Sequence, residues 1–378
     1  MINISSNFEG GNIKLIEIAE NNIQLHINDD HNSAEKQWFY FQASQVKNLN
    51  CKFDITNALD VSYPEAWPTC TIVYSYDRKH WQRLATHYDE HTLSFSLKPE
   101  HDIVYFSLFP PYSYQRHLDL ITRAIIQDNC QLVACGQSIY NRPIELLQIG
   151  DNAANKKNIW VIARQHPAET MAEWFAEGML ETLLNSKSKD ACNILEQATI
   201  YIVPNMNPDG SILGNLRTNG AGVDLNRSWL RLDPSKEPES HFVFKQMEKI
   251  GVDLFLDIHG DEDIPYTFFA GTEGIKGYSK QLAHLDKNFR EILSQITPDF
   301  SQENGYEPST PDTVDMGIAT NRVAQRFNCL SLTLEMPFTD NKYQPDSELG
   351  WSTDRSKRLA ENIIKSLNII VPELNHSS

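Results

Sequence analysis

The change of hydrophobic period at Pro110 and Pro111 constrains the fold of this chain more than any other feature. Before it, apolar and polar residues alternate in short stretches at 23–27, 38–41, 70–76, 92–97 and 103–108, separated by polar turns such as Asn28-Asp29-Asp30 and Asp77-Arg78-Lys79. Alternation puts every second side chain on one face of a strand, and a series of short strands with no helical pattern predicts a β-sandwich. The two prolines end the last strand, since neither has an N–H to give to a ladder. Soon after them, Leu118, Ile121 and Ile125 share one helical face. From there strand patterns at 144–149, 159–163, 198–203, 253–258 and 329–336 interleave with helical patterns at 168–184, 240–250 and 278–297. Leu359, Ile363, Ile364 and Leu367 mark a closing amphipathic helix. This order predicts an α/β fold, a mixed sheet flanked by helices, preceded by an all-β sandwich. The expected domains are 1–112 and 113–378, and 378 residues suffice for both.

Charge and composition exclude several functions. A formal net charge of −17 argues against a general nucleic-acid or anionic-membrane surface. No run of apolar residues is long enough for a membrane span, and the first residues lack a basic region followed by an apolar core, so a cytoplasmic protein is expected. Of the six cysteines only Cys130 and Cys135 lie close together, with no second pair to complete a structural zinc site. The expectation is reduced thiols.

In α/β folds ligands gather at the carboxyl ends of strands, and the chemistry-bearing residues fall there. His166 and Glu169 follow the strand at 159–163 and open the next helix. An imidazole and a carboxylate at such a turn suit one zinc ion, which in catalytic sites takes three protein ligands and leaves a position open. His259 ends the strand at 253–258, with Gly260 behind it. In the strand at 329–336, Leu330, Leu332 and Leu334 share one face and Glu335 lies on the other, where it is either paired in a salt bridge or placed to take a proton from water. Asn207, Pro208, Asp209 and Gly210 read as a turn, followed by Arg217, Asp224, Asn226 and Arg227. The two arginines are either solvated surface charge or a grip for a carboxylate and an oxyanion.

Together and in this order, these elements resemble the M14 zinc carboxypeptidases. With the N-terminal sandwich, the junction at 110–114 and Asp257-Ile258-His259-Gly260, the likeness is to the cytosolic carboxypeptidase branch and covers nearly the whole chain. The resemblance implies one zinc ion per chain on His166, Glu169 and His259, with water in the open position. It implies Glu335 as the base that moves the water proton to the leaving amine, and Arg217 as the group steadying the oxyanion. Asn226 and Arg227 would grip the substrate's C-terminal carboxylate, and Asp224 would orient the first zinc histidine. The chain departs from the branch at Ala168, where glycine is usual. The region that carries a mobile tyrosine in pancreatic-type enzymes, here 312–317, has none; Tyr306 is the nearest and is not given that role.

The expected activity is removal of the C-terminal residue from peptides or protein tails, with a preference for acidic residues resting on Arg322 and Arg326. Both arginines are equally readable as solvated charges on a helix at 319–326. A neighbouring reading is a zinc amidohydrolase of the aspartoacylase or desuccinylase kind, acting on small N-acyl amino acids. A third is a binding module carried by the sandwich. Oligomeric state is not readable from the sequence.

Overall fold

The structure, a computed structural model, describes residues 1–374. Ten strands build the N-terminal part: β1 (Asn3–Ser5), β2 (Lys14–Ala19), β3 (Asn22–His26), β4 (Tyr40–Ser44), β5 (Cys51–Ile55), β6 (Thr71–Ser75), β7 (Gln82–Ala85), β8 (His87–Tyr88), β9 (Leu93–Leu97) and β10 (Ile103–Ser107). They form two five-stranded sheets, ordered β1-β4-β10-β6-β7 and β2-β3-β5-β9-β8. Pairing is antiparallel except between β3 and β5. Phe41 and Phe106 from one sheet meet Phe53 and Phe95 from the other at centroid distances of 4.8 to 5.9 Å, the face-to-face packing of a sandwich. β1, β2, β5, β7 and β8 add to the strands expected from the sequence.

Past Pro111 the chain enters α1 (Tyr114–Ile125), whose N-terminus is capped by the Ser113 side chain accepting from Arg116 N. There follow β11 (Cys130–Gln137), β12 (Pro143–Ile149), β13 (Lys157–Ala163), α2 (Thr170–Leu183), α3 (Lys189–Gln197) and β14 (Ala198–Val203). The chain continues through α4 (Pro208–Leu213), α5 (Pro238–Ile250), β15 (Leu254–Ile258), β16 (Phe268–Ala270), α6 (Lys280–Ile296), α7 (Ala319–Phe327), β17 (Leu330–Glu335) and α8 (Thr353–Ile370).

The seven-stranded sheet runs β11-β12-β14-β13-β15-β17-β16, parallel through its four central members and antiparallel at both margins. Strand alternation divides its two faces. Ile159, Val161 and Ala163 of β13 join the core under α2 and α8, whereas Trp160 and Ile162 pack with Val243, Phe244 and Met247 of α5. The first core continues without a break into the sandwich.

Candidate metal centre and active site

Register brings the carboxyl ends of three parallel strands together. Ala163 is opposite Ile258, and Ile258 opposite Leu334. His259 N donates to Leu334 O at 2.8 Å, so the histidine stands beside Glu335. After β13 the chain turns sharply at Arg164, whose φ of 59° is left-handed backbone seldom taken by a residue with a Cβ. The Arg164 guanidinium holds this turn, donating to Pro167 O at 2.9 Å, Tyr112 O at 3.0 Å and the Glu173 carboxylate at 2.6 Å. Asn207, read from sequence as part of a turn, caps α4 through Gly210 N and also donates to Gln165 O at 2.9 Å. A side chain at Gly260 would meet Met171 Sδ at 2.4 Å, so glycine lets the His259 strand end lie against α2 without Met171 having to shift. Ala168, the departure from the branch pattern, is buried and has no left-handed backbone, so its methyl is accommodated.

His166, Glu169 and His259 are buried and offer donor atoms that all lie within 4.8 Å of one another. His166 Nδ1 lies 2.6 Å from Glu169 Oε1, and His259 Nδ1 lies 2.7 Å from Glu169 Oε2. Both imidazoles thus turn Nδ1 toward one point, and their far nitrogens meet carboxylates. His166 Nε2 is 3.0 Å from Asp224 Oδ1. His259 Nε2 is 3.0 Å from Asp257 Oδ1, an ion-pair distance without hydrogen-bond alignment. A carboxylate on the far nitrogen fixes the tautomer and makes the imidazole a more basic ligand. Burial alone would lower the proton affinity of His259, but Asp257 and Glu169 outweigh it and raise its pKa well above the usual histidine range. Two imidazoles and a carboxylate with one side open are the donor set that zinc takes in hydrolytic sites.

Glu335 projects from the face of β17 opposite Leu330, Leu332 and Leu334, as alternation requires; those leucines pack in the core, while Ser331 and Thr333 bond to Thr320 of α7. Glu335 Oε2 is buried without a partner among the described residues, and burial pushes the carboxyl well above its ordinary range. Such a carboxyl takes up a proton readily. Tyr306 lies beside it, its hydroxyl 3.5 Å from Glu335 Oε1 and 2.5 Å from Asp261 Oδ2. Tyr306 sits in an irregular stretch with no periodicity, which is why sequence reasoning left it without a role.

Arg217 donates through Nε to Asp224 Oδ2 at 2.6 Å, so Asp224 joins the first histidine to the arginine. Asn226 accepts from Ala319 N at 2.8 Å and its Nδ2 stands 3.3 Å from His259 Nε2. Arg227 is half exposed, with Nη1 on Asn226 O at 2.8 Å. Arg217, Asn226, Arg227, the donor triad and Glu335 all line one cavity of about 810 Å³. Arg322 is not brought there. α7 presents Thr320 and Asn321 to the cavity, and its helical turn carries Arg322 away onto the Phe244 ring, 5.3 Å from the centroid. Arg326 pairs with Glu248 instead. The further arginine on the cavity wall is Arg290, which bonds to Asp286 at 2.6 Å and to Phe269 O at 2.7 Å.

Comparison with known proteins agrees with this geometry. Residues 4–109 match the cytosolic carboxypeptidase N-terminal domain, and residues 122–350 match the zinc carboxypeptidase family. A metallo-carboxypeptidase from Pseudomonas aeruginosa, solved in complex with (2-guanidinoethylmercapto)succinic acid, is 42% identical with a TM-score of 0.96, over 99% of this chain and 100% of that one. A metallo-carboxypeptidase from Burkholderia cenocepacia is 37% identical with a TM-score of 0.96, over 98% of this chain and 99% of that one. Human cytosolic carboxypeptidase 6 is 30% identical across 78% of this chain, and the match spans 63% of the human protein's length. Among the described residues no helix is long and apolar enough to cross a membrane. With family matches over both of its parts, the chain belongs to the M14 zinc carboxypeptidases, a family of peptide-bond hydrolases, and carries in front of its catalytic part the N-terminal domain of the cytosolic carboxypeptidases.

Proposed function

We propose that this protein removes the C-terminal residue from peptides or protein tails, using one zinc ion held by His166, Glu169 and His259. The observation that carries the reading is the convergence of those donor atoms within 4.8 Å on the wall of a cavity that also holds Glu335 and Arg217. Zinc in such a site polarises a carbonyl and lowers the pKa of water. The chain's residues supply the rest. Glu335, buried and with one oxygen free, takes a proton from the attacking water and returns it to the leaving amine. Arg217, held charged by Asp224, faces the oxygen on which negative charge develops. Arg227, half exposed at the cavity, receives the substrate's terminal carboxylate, and Asn226 steadies both that arginine's guanidinium, through its carbonyl, and the His259 ring, through Nδ2. Tyr306 donates a hydrogen bond near Glu335.

An acidic preference rested on Arg322 and Arg326, and neither lines the cavity; it now depends on Arg290. The wall also bears Glu262, Asp263, Glu273 and Glu303, so a terminal acidic side chain needs that arginine to offset them. The six free cysteines suit a reducing cytoplasm.

The test is a panel of peptides differing only in the last residue, run beside N-acyl amino acids. The parent should cut peptides, and Glu335→Gln should keep its zinc but lose about 10²–10⁴-fold in kcat. A variant as fast as the parent would sink the role of Glu335. Cleavage of N-acyl amino acids alone would replace the substrate class. Arg290→Ala should slow acidic-ended peptides about tenfold more than neutral ones, and equal slowing would remove the acidic preference.

A further inference from the structure

The loop bearing Arg217 has no regular secondary structure, yet it is held by the other domain. Asp30, 4% exposed, lies in the connection between β3 and β4. Its carboxylate accepts from three successive backbone amides, Leu216 N at 2.5 Å, Arg217 N at 2.9 Å and Thr218 N at 2.9 Å, and from Thr218 Oγ1 at 3.0 Å. Consecutive amides aimed at one anion fix the local backbone, because turning any of them away leaves a buried charge short of a donor. Asn215 Oδ1 accepts from His31 N at 2.9 Å, which anchors the same loop a second time.

The side chain of Arg217 is held from the sandwich too. Its Nη1 donates to the Tyr63 hydroxyl at 2.7 Å, and Tyr63 lines the catalytic cavity. The Gln37 side chain bonds both Tyr63 N and Tyr63 O, at 2.9 and 3.2 Å, which fixes the backbone from which the ring projects. With Nε on Asp224 and Nη1 on Tyr63, the Nη2 edge has no hydrogen-bond partner among the described residues.

We propose that Asp30 and Tyr63 of the N-terminal sandwich are positioning residues for Arg217, so that the sandwich completes the catalytic site rather than merely adjoining it. The inference rests on the reading of Arg217 as the group that meets the developing oxyanion. Asp30 sets the backbone from which the arginine springs, and Tyr63 sets the plane of its guanidinium. A group that steadies a transition state through another residue acts on kcat, and its effect vanishes when that residue is gone.

The experiment is steady-state peptide hydrolysis by the zinc-loaded full chain, with thermal melts of every variant. Arg217→Ala should lower kcat by about 10²–10³-fold. Tyr63→Phe removes one hydroxyl and should lower kcat about three- to tenfold with KM changed less than twofold. Asp30→Asn should lower kcat about 10- to 100-fold. Placed in the Arg217→Ala background, each should cost less than a further twofold. If Asp30→Asn does not fold, Tyr63→Phe alone decides, since its core is intact. Single variants that keep the parental kcat, or losses that multiply in full on Arg217→Ala, overturn the inference while leaving Arg217 its role. An Arg217→Ala variant with parental kcat overturns the reading of Arg217 and the inference with it.

Discussion

Asp224 carries two duties with its two oxygens, one on His166 Nε2 at 3.0 Å and the other on Arg217 Nε at 2.6 Å. Asn226 N donates to it as well, at 2.9 Å, so its orientation is fixed from the backbone. Replacing it by asparagine puts an amide N–H where one of these acceptors stood. Asp224→Asn should therefore weaken zinc about 10–100-fold in a competition titration with a chromophoric chelator. Parental affinity would show that the carboxylate does not tune the histidine. The donor triad was legible in the sequence because its residues stand at or just past strand ends, whereas Asp224, which caps the turn at 225–227 in a loop, was given its role only through the family resemblance. Arg322 was misread because a helix turns about 100° per residue, and sequence alone does not give the phase at which α7 meets the cavity. Asp30 and Tyr63 were invisible for another reason: Asp30 and Arg217 are 187 positions apart and no motif joins them.

Among the elements, α1 ties α2 to the margin of the large sheet. Its His117 is buried, with Nδ1 2.7 Å from Glu173 of α2 and Nε2 3.2 Å from Glu145 of β12. Burial alone would push the imidazole down, but the two carboxylates outweigh it and raise the pKa to about 9. A folded pKa above the unfolded value of about 6.5 means that the protonated ring stabilises the fold in full below pH 6.5. That contribution fades as pH rises through about 9. It amounts to roughly 3 kcal/mol on linkage grounds. Urea unfolding at pH 6 and pH 9.5 should show the parent losing more stability than His117→Gln, and parallel losses would refute the assignment. The strong elements were readable because they obey one period over many residues. The missed ones were not, for physical reasons. β8 has two residues and β16 three, too few for any period, and β11 is a half-exposed edge strand with no apolar stripe. The reading of β5 failed despite its alternation, in which Cys51, Phe53 and Ile55 are buried and Lys52 is exposed.

Across the whole molecule the two parts share one apolar core, running from Phe41 and Phe53 in the sandwich to Met171 and Leu359 beneath the large sheet. Polar ties cross the same boundary. Arg83 of β7 donates to Phe338 O at 2.9 Å and Trp351 O at 2.7 Å, and Thr170 Oγ1 to Pro110 O at 2.9 Å, one residue past Glu169. Separating the domains would expose apolar surface and strand these bonds, so the sandwich gains little by unfolding alone. Zinc held by His166, Glu169 and His259 would add to this coupling. A ligand bound only by the folded state stabilises it by about 4 kcal/mol at a thousand times its dissociation constant, and the donors here follow two strand ends of the seven-stranded sheet, which packs on the shared core. Calorimetry of the full chain should therefore show a single endotherm whose midpoint falls as a unit when 1,10-phenanthroline removes zinc. Two endotherms, only one of them moved by the chelator, would mean that the sandwich folds independently of the catalytic part.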